Sequence, residues 1–123
     1  MVNLKQNEKL ALEKLLRELD LKFPKEISHT FLYGSKARGD SELDSDIDLL
    51  VILENDDSQI RRNILTLAAQ ISLEYDVLLN PIISTINRIE RQRDFSFYKN
   101  VARDAVQLNI QKGELRLLGN ISL

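Results

Sequence analysis

Cysteine is absent from the 123 residues, which excludes disulfides, thiolate metal sites and a cysteine nucleophile. Only two prolines and four glycines interrupt the chain, and it contains no internal repeat, linker or low-complexity tract. The longest apolar run, Leu49 to Leu53, is five residues. A membrane span needs about twenty, and no signal-peptide pattern opens the sequence, so a cytoplasmic protein with no membrane partner is expected. The single histidine, His29, lies near the start of a predicted strand without an obvious relay partner and is read as a packing or surface residue. Charge of one sign is lacking too. Seventeen basic residues against nineteen acidic ones leave a net charge of −2, without the basic footprint of a nucleic-acid binder. The basic residues that gather after Asn87 are read as a solvated helix face.

The length suits one domain, residues 1–123, with a core that needs no staples. Leu12, Leu15, Leu16 and Leu19 recur at helical spacing and predict a helix over 4–20, closed near Pro24. "ISHTFLY", 27–33, alternates as a strand, followed by the polar connection "GSKARGDSELDS". Residues 46–53 form a second strand, apolar on both faces beyond Asp48 and therefore central. A helix capped by Asn55 or Asp56 runs to about 73. "DVLLNPIIS", 76–84, is a third strand that Pro81 restricts to an edge or a strand end. Residues 85–110 are predicted helical in one or two pieces, with Phe97, Val101, Ala105 and Leu108 as the apolar stripe and "GELRLL" as a short final strand. This order defines an α/β (α+β) domain: a small mixed sheet backed by helices.

Five acidic residues (Asp40, Glu42, Asp44, Asp46 and Asp48) lead straight into the most apolar run of the chain. Side chains at i and i+2 of a strand share a face, so Asp46 and Asp48 stand side by side. Two such charges about 4 Å apart repel by roughly 4 kcal/mol at an effective dielectric near 20. A shared proton or a hard cation such as Mg²⁺ or Mn²⁺ relieves that repulsion. Taken alone, the pair reads equally well as a solvated strand start. Asp40, Glu42 and Asp44 are read as solvating the loop. Gly34-Ser35 ends the preceding strand, where a glycine lets backbone N–H groups approach an anion. A helical turn opening at Ser35 would add its hydroxyl and further amides, with Lys36 and Arg38 supplying positive charge. Two other motifs fail. The spacing Gly34 to Gly39 matches a P-loop, but Asp40 stands where the lysine must be; an EF-hand starting at Asp44 lacks glycine at Leu49 and glutamate at Asn55.

The pattern that fits is Gly34-Ser35, ten residues, then Asp46-Ile47-Asp48. This G-S-x10-D-x-D arrangement resembles the signature of the DNA polymerase beta nucleotidyltransferase superfamily. "GSKARG" with "SDIDLLV" resembles its minimal nucleotidyltransferase (MNT) subfamily, and the likeness extends more weakly through Asp76 to "FYKNVARDAVQL". The resemblance implies a polymerase-beta-like fold and transfer of AMP from ATP to a hydroxyl, assisted by two Mg²⁺ ions or by Mn²⁺. It implies Asp46 and Asp48 as metal ligands and catalytic residues, and Gly34, Ser35, Lys36 and Arg38 as nucleotide-binding residues. It also calls for a third carboxylate on a neighbouring strand, which is assigned to Asp76 at the start of the third strand, with Glu74 as competitor. Small MNT proteins commonly pair with a HEPN-domain toxin and act as antitoxins by adding AMP to a toxin tyrosine. Two rivals are a non-catalytic antitoxin that neutralises its partner by complex formation, and a transferase acting on a small molecule. Tyr33, Tyr75 and Tyr98 are read as packing residues, with Tyr98 the one that could border a purine.

Overall fold

The computed structural model describes residues 2–40 and 45–118. Glu42 and Asp44, read above as loop-solvating, lie outside the described residues. The chain runs α1 (Gln6–Lys22), β1 (Ile27–Tyr33), α2 (Ser35–Arg38), β2 (Ile47–Leu53), α3 (Ser58–Tyr75), β3 (Leu79–Thr85), α4 (Ile86–Gln92), α5 (Ser96–Asp104), β4 (Val106–Gln111) and β5 (Glu114–Leu117). The strands form one sheet in the order β3-β2-β1-β4-β5. β2 and β3 are parallel, joined by the α3 crossover, and every other pair is antiparallel, so the sheet is mixed as the sequence predicts.

Strand alternation sorts β2 between two cores. Ile47, Leu49, Val51 and Leu53 point to one face and meet Ala11, Leu12, Leu15 and Leu16 of α1 and Ile64, Leu67 and Ile71 of α3. Leu50 and Ile52 point to the other, where Phe31 of β1 and Tyr98 and Val101 of α5 cover them. Burying each such large side chain contributes roughly 1.5–3 kcal/mol, so the apolar half of β2 anchors both layers. Asp48 falls on the second face beside Tyr33, at the margin of that smaller cluster. A carboxylate can sit in the central strand there because the position is only half-buried.

β2 is interior and β3 is an edge strand, in keeping with Pro81. Several boundaries differ from the sequence reading: the cap of α3 is Asp57, whose carboxylate accepts the Gln59 and Ile60 N–H groups, in place of Asn55 or Asp56, and two further differences bear on the site. Residues 85–110 are not all helical, because the chain leaves α5 at Asp104 and returns as β4 beside β1. Val106, Leu108 and Ile110 alternate with Gln107 and Asn109, a period of two that overrides the helical stripe ending at Leu108. β3 starts at Leu79, and Asp76 is the C-cap of α3, in the left-handed conformation with φ 56°.

Candidate active site

The centre of the site is the meeting of β1's end with β2's start. Tyr33 pairs with Asp48 in the antiparallel register, so Gly34 emerges beside the carboxylate. Gly34 has φ 76°, and a Cβ built there would lie 2.6 Å from Asp48 Oδ2. Only glycine tolerates both the backbone angle and the close approach. Ser35 then opens α2, whose first intrahelical bond is Arg38 N–H to the Gly34 carbonyl at 3.1 Å. The amides of residues 35–37 precede that bond and have no acceptor within the helix. Gly39, with φ 84°, closes the turn, its N–H donating to the Ser35 carbonyl.

Asp46 is exposed and immediately precedes β2; Asp48 is half-buried. Burial holds the Asp48 carboxyl above the usual carboxylate range, and the neighbouring charge of Asp46 adds to the rise; the Asn80 amide and the field of Arg38 oppose it. Asn80 Nδ2 donates to Asp48 Oδ1 at 3.1 Å from the parallel strand, where register sets the two residues level. Across β1, burial and then the Asp48 charge push the Tyr33 phenol up to about 12. A half-buried carboxylate with a second acid beside it is stabilised by any positive charge brought near.

Arg38 sits over this region as a brace. Its Nε donates to Asp40 at 3.1 Å and a terminal nitrogen donates to Asp104, at the end of α5, at 3.0 Å. Through those contacts the four-residue α2 is tied to the helix that covers the same sheet face.

Two residues assigned to the site from sequence are placed elsewhere. Lys36 is 2% exposed and pairs with Glu8 of α1 at 2.7 Å, so its ammonium neutralises a buried carboxylate and is not offered to a phosphate. Glu8 holds Lys36 with one oxygen and accepts the Lys5 N–H with the other, capping α1 as it anchors α2. Asp76 does not join Asp46 and Asp48, and among the described residues no three carboxylate or histidine side chains group as a metal cluster. The reason is its place before the strand. The β2–β3 register sets Ile47 level with Leu79, and Ile47 N–H bonds the Leu78 carbonyl, so Asp76 lies beyond the level of Asp46. It lines a separate cavity of about 310 Å³ with Lys5, Asn7, Glu8, Ser45, Val77 and Leu78. Its rival Glu74 is bound to Lys14 at 2.7 Å. The position level with Asp48 is taken by Asn80, which sequence reasoning passed over; a lone polar residue inside an apolar strand was its signal. Tyr98 is buried, with its hydroxyl 2.8 Å from Ser84 Oγ, and serves packing.

Residues 12–109 match the family model described as a nucleotidyltransferase domain. The chain is 30% identical over 98 residues to a candidate protein adenylyltransferase of Methanocaldococcus jannaschii, an alignment covering 80% of this chain and 94% of that one. A second candidate protein adenylyltransferase of the same organism is 38% identical over 58 residues, covering 46% of this chain and 59% of the other. Among solved structures, a candidate nucleotidyltransferase from Sulfolobus solfataricus superposes with a TM-score of 0.54 at 18% identity, covering 100% of this chain and 99% of that one. A chain of a toxin–antitoxin complex crystallised with AMP-PNP gives 0.54 at 24% identity, covering 80% and 70% respectively. The protein belongs to the nucleotidyltransferase domain family. It is a nucleotidyltransferase, and its mixed sheet backed by helices is the polymerase-beta-like fold of its structural neighbours.

Proposed function

We propose that this chain transfers AMP from ATP to a hydroxyl, a tyrosine for preference, of a HEPN-type toxin, and so acts as its antitoxin. The observation that carries the reading is the Gly34–Asp48 contact, which brings a phosphate cradle against a metal-binding carboxylate. Adenylyl transfer to protein is the activity for which both archaeal relatives are named, and a toxin–antitoxin complex is among the structural neighbours.

The donor set fits a hard divalent cation. Mg²⁺ commonly takes one or two carboxylates and completes its shell with substrate phosphates and water, and Asp46 with Asp48 supplies that pair. When bound, such ions polarise the phosphoryl oxygens and relieve charge on the leaving group. The Ser35 hydroxyl and the amides after Gly34 bind the β- and γ-phosphates. Asn80 keeps Asp48 turned toward the shared face, and Arg38 adds positive potential while bracing the cradle. In the transfer, the acceptor oxygen bonds to the α-phosphorus as the bond to the β-phosphate bridge breaks. Pyrophosphate leaves and the acceptor's proton passes to solvent water. Asn80 cannot take that proton, because an amide is no base at neutral pH.

The test is to incubate the protein with ATP, Mg²⁺ and the purified protein encoded beside it, then to weigh that protein intact. A gain of one or more AMP units is expected. An unchanged mass with every nucleotide and with Mn²⁺ tried contradicts the proposal. Asn80 at the level of the third carboxylate is the one observation that favours the rival, a non-catalytic antitoxin. The Asp46→Asn, Asp48→Asn double variant separates them: if it neutralises the partner as fully as wild type, binding alone is the mechanism.

A further inference from the structure

In-line displacement at phosphorus fixes two directions at once, because the attacking oxygen arrives opposite the leaving oxygen. At the proposed centre the pyrophosphate end lies at Gly34-Ser35, at the close of β1, and the carboxylates lie at the start of β2, Asp46 just before the strand and Asp48 in it. The line continues to β3, the exposed edge of the sheet. The acceptor hydroxyl therefore arrives over Asn80.

The surface on that side differs from the rest of the site. Ile82 lies on the same face of β3 as Asn80, about 7 Å away along the strand, and is 38% exposed. Past Ile82 opens a cavity of about 460 Å³ that Arg88, Gln92, Phe95 and Phe97 also line, and Phe95 is 59% exposed. Scattered apolar residues need no explanation, but Ile82 and Phe95 exposed together at one cavity beside a reaction centre mark an interaction surface. Charge adds direction. Of the residues that line this cavity Arg88 alone is charged, so the corner offers a cation beside its apolar side chains. Among the described residues Arg88 forms no ion pair. A small polar acceptor has nothing to place on Phe95.

We propose that the corner of Ile82, Arg88 and Phe95 is the docking surface for the acceptor-bearing protein, which presents an apolar side chain beside a carboxylate and thereby delivers its hydroxyl over Asn80. This rests on the adenylyl-transfer reading above. Docking there is wet at its rim and salt-sensitive, through Arg88.

The test uses Phe95→Ser and Arg88→Glu, which change surface side chains outside the phosphate and metal positions. Affinity for the purified protein encoded beside this chain is measured by calorimetry, and AMP transfer to it by intact mass. Mg²⁺-dependent affinity for a non-hydrolysable ATP analogue is measured in parallel. Each variant is expected to lose tenfold or more in partner affinity and transfer, with analogue affinity within twofold of wild type. Unchanged partner affinity overturns the proposal. So does a matching fall in analogue affinity, which would make the corner a nucleobase site. Asp48→Asn separates this test from the functional reading. If it binds partner normally and still transfers AMP, the chemistry is wrong; if it binds normally and transfers none while the surface variants behave as wild type, only the docking surface is wrong.

Discussion

Asn80 holds Asp48 across two parallel strands, amide nitrogen to carboxylate oxygen at 3.1 Å. An amide here restrains a carboxylate without adding charge, so the site holds two acids and a neutral clamp. Asn80→Leu removes the donor at an exposed position. A hydrogen bond to a charged group is worth about 1.5–3 kcal/mol, so the Mg²⁺ concentration for half-maximal transfer should rise about tenfold or more. Asn80→Asp installs a third carboxylate and should lower it. A Mg²⁺ titration of transfer rate reads both, and superimposable curves for the three proteins would remove Asn80 from the mechanism.

Gly34→Ala should be severe for two separable reasons. Its φ of 76° and ψ of −156° lie in a region essentially reserved for glycine, which costs a residue with a Cβ of order 1–3 kcal/mol. The added methyl would meet Asp48 Oδ2 at 2.6 Å and force the carboxylate aside. A modest fall in urea midpoint with at least a hundredfold loss of transfer is expected. Near-normal transfer would mean that the glycine serves the turn alone.

The buried Glu8–Lys36 pair ties α1 to α2 from beneath the cradle. Breaking one partner of a buried pair costs about 3–5 kcal/mol, because the survivor keeps its charge without compensation. Glu8→Ala also removes the acceptor for the Lys5 N–H. It should be less stable than Lys36→Met, which leaves a carboxylate still accepting that bond. Urea unfolding of the two variants checks the order, and equal stability would contradict it.

Alkaline pH reports on Tyr33. Its folded-state pKa is raised from 10.0 to about 12, by burial first and then by Asp48. Stability tied to the neutral phenol is therefore complete below pH 10 and is lost as pH rises toward 12. Tyr33→Phe should flatten the alkaline arm of the stability curve measured by urea unfolding between neutrality and pH about 11. An arm as steep as that of wild type would place the phenol in an unperturbed setting.

Much of this architecture was legible in the sequence because local pattern and tertiary demand agree. β1 falls on residues 27–33 as read from its alternation, and the helical turn at Ser35 follows from its turn residues. Where they disagree, tertiary contacts prevail. The stripe through Leu108 was broken because β1's free edge captures 106–111 as a strand. Asp76 was misplaced by three residues of strand boundary: a helix that closes in a left-handed cap at Asp76 delays β3 to Leu79. Lys36 looked like a phosphate ligand because sequence shows its neighbours in the motif and not Glu8, twenty-eight residues away. Asn80 carries no motif; only register sets it beside Asp48.

The most direct measurement is calorimetric binding of a non-hydrolysable ATP analogue to wild type and to Asp48→Asn, with Mg²⁺ and with EDTA. Wild type should bind only when Mg²⁺ is present. Asp48→Asn should lose at least tenfold in affinity with no fall in thermal midpoint, since the native carboxylate is held above its usual pKa range. Equal binding by both proteins, or binding by wild type that EDTA leaves unchanged, would contradict a metal-dependent nucleotide site built on this aspartate.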